Sequence, residues 1–218
     1  MKKSLLHNKI VKIALYFLLS FALILPVWLQ VNNHYNHFIT NMMFHVTALK
    51  YEFNITKTSV KESEITFTIK NNTPIKDFRD VERSIDADVL LDTSSVTFNV
   101  PMTLALLLAL ALSFSATLKE KSTLLLKSMS LLILLHVITI LIISVSTLIQ
   151  SAYSSQLMQF YLNRFYLPQE FIFNFASILN SYASRFEPFL LAIFMWWMLQ
   201  GVEEHPEETV SKEELPNF

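Results

Sequence analysis

The chain has 218 residues, of which 52% are apolar or aromatic and 16% are charged, whereas about 25% are charged in an ordinary soluble domain. It contains no cysteine and one glycine, Gly201. The lack of cysteine excludes disulfides, zinc–thiolate sites, iron–sulfur clusters and a cysteine nucleophile. One glycine is too few for a Walker phosphate loop or a dinucleotide fingerprint. A net charge of −1 argues against nucleic acid as a partner, and the sequence implies no cofactor.

Charged residues are missing from four long blocks, and a helix needs about 20 mostly apolar residues to cross a bilayer. The blocks are 13–49, 93–118, 128–163 and 188–202. They predict transmembrane helices near 13–31, 98–118 and 129–150, and a shorter fourth helix over 187–202. The expected fold class is a membrane α+β protein, with four transmembrane helices and a small antiparallel β-region outside the membrane between helices 1 and 2. Because the first apolar run is too long for a leader, we interpret it as an uncleaved anchor.

Lysines are concentrated before the first predicted span and between the second and third, which sets the expected orientation. They are Lys2, Lys3, Lys9, Lys12, Lys119, Lys121 and Lys127. We therefore expect both ends in the cytoplasm. The cytoplasmic end of the first segment, 1–31, is basic, and the tail, 203–218, is acidic. A helical hairpin occupies 98–150.

The first segment expected outside the membrane, 32–97, begins with an amphipathic helix and continues as strands. Apolar and polar residues alternate around 51–55, 65–69 and 96–98, which is the period of a strand with one buried face. They predict a three- or four-stranded antiparallel sheet over about 46–98. Such a sheet is too small to bury a large core by itself.

The second segment expected outside, 151–186, is rich in aromatic residues and then amphipathic. One face of its predicted helix carries Phe171, Phe175, Ile178 and Tyr182. The sequence Glu187–Pro188 predicts a kink or break, because a residue before proline disfavours the helical conformation. The sequence leaves open whether 171–186 lies on the membrane or extends helix 4.

Small residues recur every three or four positions in the predicted second span. They are Ala105, Ala109, Ser113 and Ala116. Small side chains on one stripe let helices approach closely in lipid. We therefore predict that this stripe, the helix-packing seam, lies at the centre of the bundle.

Polar residues in the third span and at the outer end of the fourth form a candidate intramembrane or partner site. They are His136, Thr139, Ser146, Arg185 and Glu187. Polar groups in hydrocarbon are costly unless paired, so the third-span residues are expected to face other helices. His136 is either a hydrogen-bonded packing residue or a functional group. Arg185 and Glu187 either contact a substrate or partner, or pair with each other at the membrane surface.

Three histidines after the first span, His34, His37 and His45, are the candidate metal ligands, because they share a helical face. No acidic residue lies near them in the sequence. A solvated polar face of an interfacial helix explains the same pattern, and we favour that interpretation over a metal site.

The order of these parts resembles the exosortase H-associated membrane proteins, small bacterial proteins that accompany a membrane-embedded sorting peptidase. The closest match is the Asn99-x-Pro101 start of the second span and the Leu/Ala run after it, within a layout that covers most of 5–202. The resemblance implies the bacterial inner (plasma) membrane and an accessory role in envelope protein sorting. The sorting peptidases use a cysteine nucleophile, so this chain is not itself the peptidase.

These observations favour a non-enzymatic accessory integral membrane protein of a bacterial envelope protein sorting or export system. Its expected partners are the lipid bilayer and a sorting peptidase, export subunit or substrate tail, bound through the outer sheet. The sequence has no H-E-x-x-H or G-x-S-x-G motif. The rival hypothesis is a small transporter or lipid-handling membrane enzyme with a site around His136, Arg185 and Glu187. A third hypothesis is a metal-responsive sensor that uses the three histidines.

Overall fold

The computed structural model describes residues 2–61, 64–76, 80–153, 155–165 and 168–204. Its helices are α1 (Lys2–Lys50), α2 (Ser94–Thr97), α3 (Val100–Ser113), α4 (Leu118–Tyr153), α5 (Gln156–Asn163), α6 (Gln169–Ile178) and α7 (Ser184–Glu204). A π-helical turn, Leu179–Ala183, lies between the last two. Its strands are β1 (Phe53–Lys61), β2 (Glu64–Asn71), β3 (Ile75–Lys76), β4 (Glu82–Arg83) and β5 (Asp86–Asp92). The fold is thus mostly helical with a small antiparallel sheet, as the sequence predicts.

The chain divides into two compact units, each with its own hydrophobic core. Within the described residues, unit 1 comprises 2–29, 99–133 and 186–204, and unit 2 comprises 30–98 and 134–185. The core of unit 1 is formed by apolar side chains of α3, α4 and α7. The core of unit 2 is formed by the sheet together with α1, α4 and α5.

The larger sheet of unit 2 has the strand order β1-β2-β5, and both neighbouring pairs are antiparallel. Strands β3 and β4 pair in a separate two-stranded antiparallel sheet. In β2, Ile65, Phe67 and Ile69 are buried, while the residues between them are more exposed. Helix α1 covers the buried face, since the rings of Phe44 and Phe67 stack with their centroids 4.2 Å apart. The predicted antiparallel sheet is confirmed, and helices supply the cover that a sheet of this size needs.

The strand predicted at 96–98 is wrong, because residues Ser94–Thr97 form the short helix α2. The Asp92 carboxylate starts this turn by accepting a hydrogen bond from the Ser94 N–H at 3.0 Å. Such a side-chain contact to the nearby backbone competes with strand pairing. Val96 is buried in a small cluster with residues of α1 and α4. Its apolar character therefore reflects packing against helices.

The connection between α3 and α4 is shorter than predicted. The sequence predicts a loop that contains Lys119, Lys121 and Lys127, but α4 begins at Leu118 and includes all three lysines. The start of α4 is a capping box. Glu120 Oε2 accepts the Thr117 N–H at 2.8 Å, and Thr117 Oγ1 accepts the Glu120 N–H at 3.3 Å. This T-x-x-E spacing is a sequence signal for a helix start.

The helical residues run without a gap from Gln169 to Glu204, so 171–186 continue into the predicted fourth helix. Within this described stretch the helix passes through Glu187 and Pro188 without the predicted break. The irregular turn is instead the π-helical one, which ends five residues before the proline. π-helical turns inside longer helices are a recognised site of bending.

Among the described residues, three helical segments are long and apolar enough to cross a membrane: Asn8–Lys50, Ser94–Ser113 and Leu118–Ala152. In the first of them, no residue of the most apolar stretch is buried, which suits contact with hydrocarbon. Helix α7, the predicted fourth span, is not one of these three segments. It carries Arg185 and Glu187 near its start.

Candidate functional site

Unit 2 contains buried polar side chains where α1, α2 and α4 meet. Asn36 Oδ1 accepts a hydrogen bond from the Thr97 hydroxyl. The hydroxyl oxygens of Thr40 and Thr93 are 2.6 Å apart. All four side chains are buried. Because a buried polar group without its partner costs about 1–3 kcal/mol, these pairs fix α1 to the segment around α2.

His136 joins the same cluster from α4. Its side chain is 1% exposed, and its Nδ1 lies 2.9 Å from the Tyr35 hydroxyl. The two rings meet edge-on, with centroids 6.0 Å apart. We call the six residues the polar cluster: Tyr35, Asn36, Thr40, Thr93, Thr97 and His136. It contains one ionisable imidazole in a hydrogen-bonded, buried setting, which is an arrangement that specifies packing.

The other predicted polar-site residues are distributed along the helices. Thr139 is buried one turn from His136, and Ser146 is buried further along α4. Arg185 is exposed and belongs to unit 2, whereas the Glu187 side chain is buried and belongs to unit 1. The structure therefore does not gather the predicted five residues into one site within a unit.

Ser146 lines a polar pocket of about 280 Å³ in unit 2. Its polar lining residues are Asp92, Ser146, Thr147, Gln150, Ser177 and Asn180. Asn180 lies in the π-helical turn, where its Oδ1 accepts a hydrogen bond from the Ser95 hydroxyl at 3.0 Å. The pocket therefore lies between α4 and the end of α6, close to α2.

The three histidines are spread along α1. His34 and His45 are exposed and His37 is half-buried. His45 Nδ1 donates to the Asn41 carbonyl at 2.8 Å, one helical turn earlier. Within the described ranges, no group of three or more His, Asp or Glu side chains is placed to hold a metal ion. The geometry there does not support a metal site.

The helix-packing seam lies in α3 of unit 1 and continues to Ala116. Ala105 and Ala109 are fully buried, and Ser113 and Ala116 are half-buried. The Ser113 hydroxyl donates to the Ala109 carbonyl at 2.7 Å, so its polarity is satisfied within the helix. Ala105 and Ala109 are therefore among the most buried residues of this helix, together with Thr103 and Leu107.

Asn99, the first residue of the Asn99-x-Pro101 sequence, precedes α3. Its carbonyl accepts hydrogen bonds from the N–H and the hydroxyl of Thr103, at 2.9 and 3.0 Å. Its side chain is buried, and its Nδ2 has no hydrogen-bond partner in the part of the chain that the structure describes. A buried amide of this kind is a net cost to the fold.

Sequence analysis missed a second polar contact, which joins the end of α1 to α5. Tyr161 is fully buried, and its hydroxyl donates to the carbonyls of Tyr51 and Glu52 at 3.1 and 3.3 Å. Glu52 has a φ of 57°, a left-handed conformation that residues other than glycine rarely adopt. The Arg164 guanidinium donates to the Glu52 carboxylate at 2.7 Å. These contacts hold the tight turn from α1 into β1.

The environment of this turn keeps both phenols protonated. Burial raises the pKa of Tyr161; the nearby Arg164 guanidinium opposes this shift, and the Glu52 carboxylate adds to it. Burial also raises the pKa of Tyr51. Both side chains are therefore neutral at physiological pH.

The C-terminal half of α1 carries a row of exposed large apolar side chains, which we call the α1 stripe. It consists of Val31, Phe38, Met42, Val46 and Leu49. The opposite side of the same helical segment packs into the core of unit 2. His34, Asn41 and His45 are exposed along the flank of the stripe. The arrangement is an apolar surface with a polar border.

Two spacings in the sequence could have indicated the polar cluster. Asn36 and Thr40, like Thr93 and Thr97, are separated by four residues inside charge-free blocks, so each pair lies on one helical face. The Tyr161 contact has no comparable local signal, because its partners lie more than 100 residues earlier in the chain.

Comparison with protein-family models, with curated proteins and with solved structures finds no match to this chain.

Proposed function

We propose that the chain is a non-enzymatic accessory membrane protein of bacterial envelope protein sorting or export, and that a partner membrane protein binds the α1 stripe. In this proposal the chain crosses the inner membrane four times, with α7 as the fourth crossing and both ends in the cytoplasm. The described part of unit 2 then provides the surface offered to the partner.

The extent of exposed apolar surface on α1 carries the proposal. Exposed apolar side chains from Ile10 to Leu29 already cover about 29 Å of helix. This length matches the hydrocarbon core, which is about 30 Å thick. The α1 stripe adds exposed apolar side chains from Val31 to Leu49, over about 27 Å more. The exposed apolar surface of the stripe is therefore in excess of what α1 needs to cross the membrane once.

The border of the stripe favours a protein rather than acyl chains as its cover. His34, Asn41 and His45 are exposed beside the stripe, and polar side chains facing hydrocarbon are costly. Apolar centres with polar borders are typical of protein–protein interfaces. Large exposed apolar patches on a protein surface likewise indicate a binding site.

The polar cluster and the Tyr161 contact support this role by holding the stripe in place. They fix the C-terminal half of α1 to α2, α4 and α5 through buried hydrogen bonds. A surface that is rigid before binding loses less conformational entropy when the partner binds. On this view His136 positions α1 and has no chemical role.

The sheet edge is the alternative partner surface that the sequence suggests. Residues of β1 from Thr56 to Lys61 are exposed, but the strand has a register shift between Ile55 and Lys57. Bulges and edge lysines are features by which proteins discourage strand addition. They favour the α1 stripe over the edge.

A matched pair of substitutions separates the two surfaces. Val46 on the stripe and Val60 on β1 are 48% and 50% exposed. Val46→Glu and Val60→Glu therefore make the same chemical change, and we expect similar effects on the stability of the isolated chain. We expect Val46→Glu to weaken association with a multi-span cysteine peptidase or an export subunit by about tenfold or more, since charges at interface centres are disfavoured.

Co-purification of the tagged chain from its own membranes measures this association. Val60→Glu should retain the wild-type amount of partner. The reverse result, loss with Val60→Glu alone, would move the interface to the sheet edge. A clean chain without any partner in the wild type would contradict the accessory role.

The rival hypothesis of a transporter or lipid-handling enzyme has one favourable observation, the buried imidazole of His136 beside Tyr35. His136→Leu distinguishes the two hypotheses. An enzyme or transporter would lose its activity while folding and assembly persist. The accessory role predicts that His136→Leu, where it still folds, keeps its partner.

A further inference from the structure

Unit 1 contains an apolar groove of about 430 Å³ between α1, α3 and α7. Its floor includes Ile13, Leu110 and Ala192, and the indole of Trp196 lies in its lining. Ile10 and Ile193 form its rim and are more than half exposed. The groove therefore opens on the outer surface of the unit, where a membrane protein meets lipid.

One end of the groove is cationic. Lys9 precedes Ile13 by one helical turn and therefore lies on the same face of α1. Its Nζ is 3.5 Å from the centre of the Phe114 ring, and that ring meets the Trp196 indole edge-on, with centroids 5.2 Å apart. Lys12 is exposed on the same turn of α1. The Lys9 ammonium and the Trp196 indole thus contact the same ring, Phe114, beside an otherwise apolar surface.

We infer that this groove binds an acidic phospholipid, with one acyl chain in the groove and the phosphate at Lys9 and Lys12. An apolar groove open to the bilayer is complementary to an acyl chain, and the cations at its end are complementary to a phosphate. Basic residues at the cytoplasmic ends of membrane helices attract anionic headgroups, and indoles favour the headgroup level. The inference does not depend on the proposed partner of the α1 stripe.

The charge at the end of the groove distinguishes a lipid from a partner helix. A transmembrane helix would occupy the groove through its own apolar side chains and would not need a cation there. An acidic lipid is complementary to both the apolar groove and the cation at its end, because its acyl chain and its charged headgroup occupy different places. The first test is therefore headgroup preference at constant acyl chains.

The full-length chain is purified in mild detergent and exposed to equal amounts of phosphatidylglycerol and phosphatidylcholine with identical acyl chains. Native mass spectrometry then counts the bound lipids. We expect one retained phosphatidylglycerol, with a preference over phosphatidylcholine of about fivefold for each contributing lysine. Equal retention of both lipids, or retention of neither, would overturn the inference without any variant.

Charge variants locate the headgroup. Lys9→Gln should lower the preference for phosphatidylglycerol about fivefold. Lys127→Gln is the matched control, since Lys127 is an exposed lysine of unit 1 on α4, and it should leave the preference unchanged. An equal effect of both variants would mean that the chain attracts anionic lipid through its overall charge.

A filling variant locates the acyl chain. Ala192→Phe places a ring in the groove and should remove the retained lipid whatever its headgroup. Ala14→Phe makes the same change at an exposed position of α1 and should have no effect. Gel filtration and thermal unfolding of both variants control for folding. Full lipid retention by folded Ala192→Phe would contradict the assignment, as would capture of a partner protein in the groove.

Discussion

Tyr35 and His136 are 101 residues apart in the sequence, and the hydroxyl of the first lies 2.9 Å from Nδ1 of the second. This contact joins α1 to α4 in unit 2. The neighbouring pairs Asn36–Thr97 and Thr40–Thr93 join α1 to the segment around α2. Buried and partly buried hydrogen bonds thus determine where the C-terminal half of α1 lies, and with it the exposed stripe that we propose as the partner surface.

Tyr35→Phe tests the value of this contact. The variant keeps the ring and removes the hydroxyl, so the buried imidazole of His136 loses this hydrogen bond, which costs about 1–3 kcal/mol. Thermal unfolding in mild detergent should show the loss. Tyr182→Phe, which removes the hydroxyl from an exposed ring, should change stability by less than about 0.5 kcal/mol. Equal stability of Tyr35→Phe and wild type would show that the contact contributes nothing.

Asn36→Leu and Asn99→Leu make the same change in two buried settings and should have opposite effects. Asn36 is hydrogen-bonded to Thr97, so its loss should destabilise the fold by about 1–3 kcal/mol. Asn99 Nδ2 has no hydrogen-bond partner in the described structure, so removing this buried donor by Asn99→Leu should be neutral or stabilising. If Asn99→Leu destabilises the isolated chain, then the Asn99 side chain makes a stabilising hydrogen bond, and this prediction is contradicted.

The Tyr161 contact predicts a dependence of stability on pH. Burial raises the pKa of Tyr161, so the folded state holds the phenol proton more tightly than the unfolded chain does. This contribution is complete below the ordinary tyrosine pKa of about 10 and is lost as the pH rises through the raised value. We expect the wild type to lose stability above about pH 10.

Tyr161→Phe should lose part of that pH dependence. It should also cost about 1 kcal/mol at neutral pH, because the hydrogen bonds to the Tyr51 and Glu52 carbonyls are removed. Denaturant unfolding at a series of pH values measures both effects. Tyr51, whose pKa burial also raises, contributes to the remaining dependence. An unchanged pH profile in Tyr161→Phe would contradict the assignment.

The capping box at the start of α4 has a simple test. Thr117→Ala removes the hydroxyl that accepts the Glu120 N–H and should cost about 1 kcal/mol. Thr123 donates its hydroxyl to the Lys119 carbonyl inside the exposed helix, so Thr123→Ala is the matched control. Thr123→Ala should change stability by less than about 0.5 kcal/mol. Similar losses in both variants would argue against the capping role.

Local patterns predicted the parts of this fold that depend on local physics. Alternation identified β2 because Ile65, Phe67 and Ile69 pack on one face, and charge-free blocks identified the apolar helices. Val96 misled the strand prediction because its burial comes from helices distant in the sequence. The lysines after α3 suggested a loop, although the T-x-x-E spacing indicates a helix.

The candidate surfaces were harder to predict, for a related reason. Apolar residues of α1 look the same in sequence whether they face lipid, the core or a partner. Tertiary packing, such as that of Phe44 against Phe67, separates the buried side of α1 from its exposed stripe. The contact of Tyr161 with Tyr51 spans 110 residues, and no local spacing indicates it. The five polar residues that the sequence groups into one site lie on two helices, three on α4 and two on α7.

Site-specific photocrosslinking in native membranes tests directly whether a partner membrane protein binds the α1 stripe. A benzophenone side chain replaces Phe38 on the stripe or, as a control, Phe160 on α5; the two phenylalanines are 69% and 63% exposed. If a partner binds the stripe, position 38 should give a discrete adduct with one partner membrane protein, and position 160 should give none. Adducts with lipid alone at position 38, or a crosslinked pair of identical chains, would contradict it.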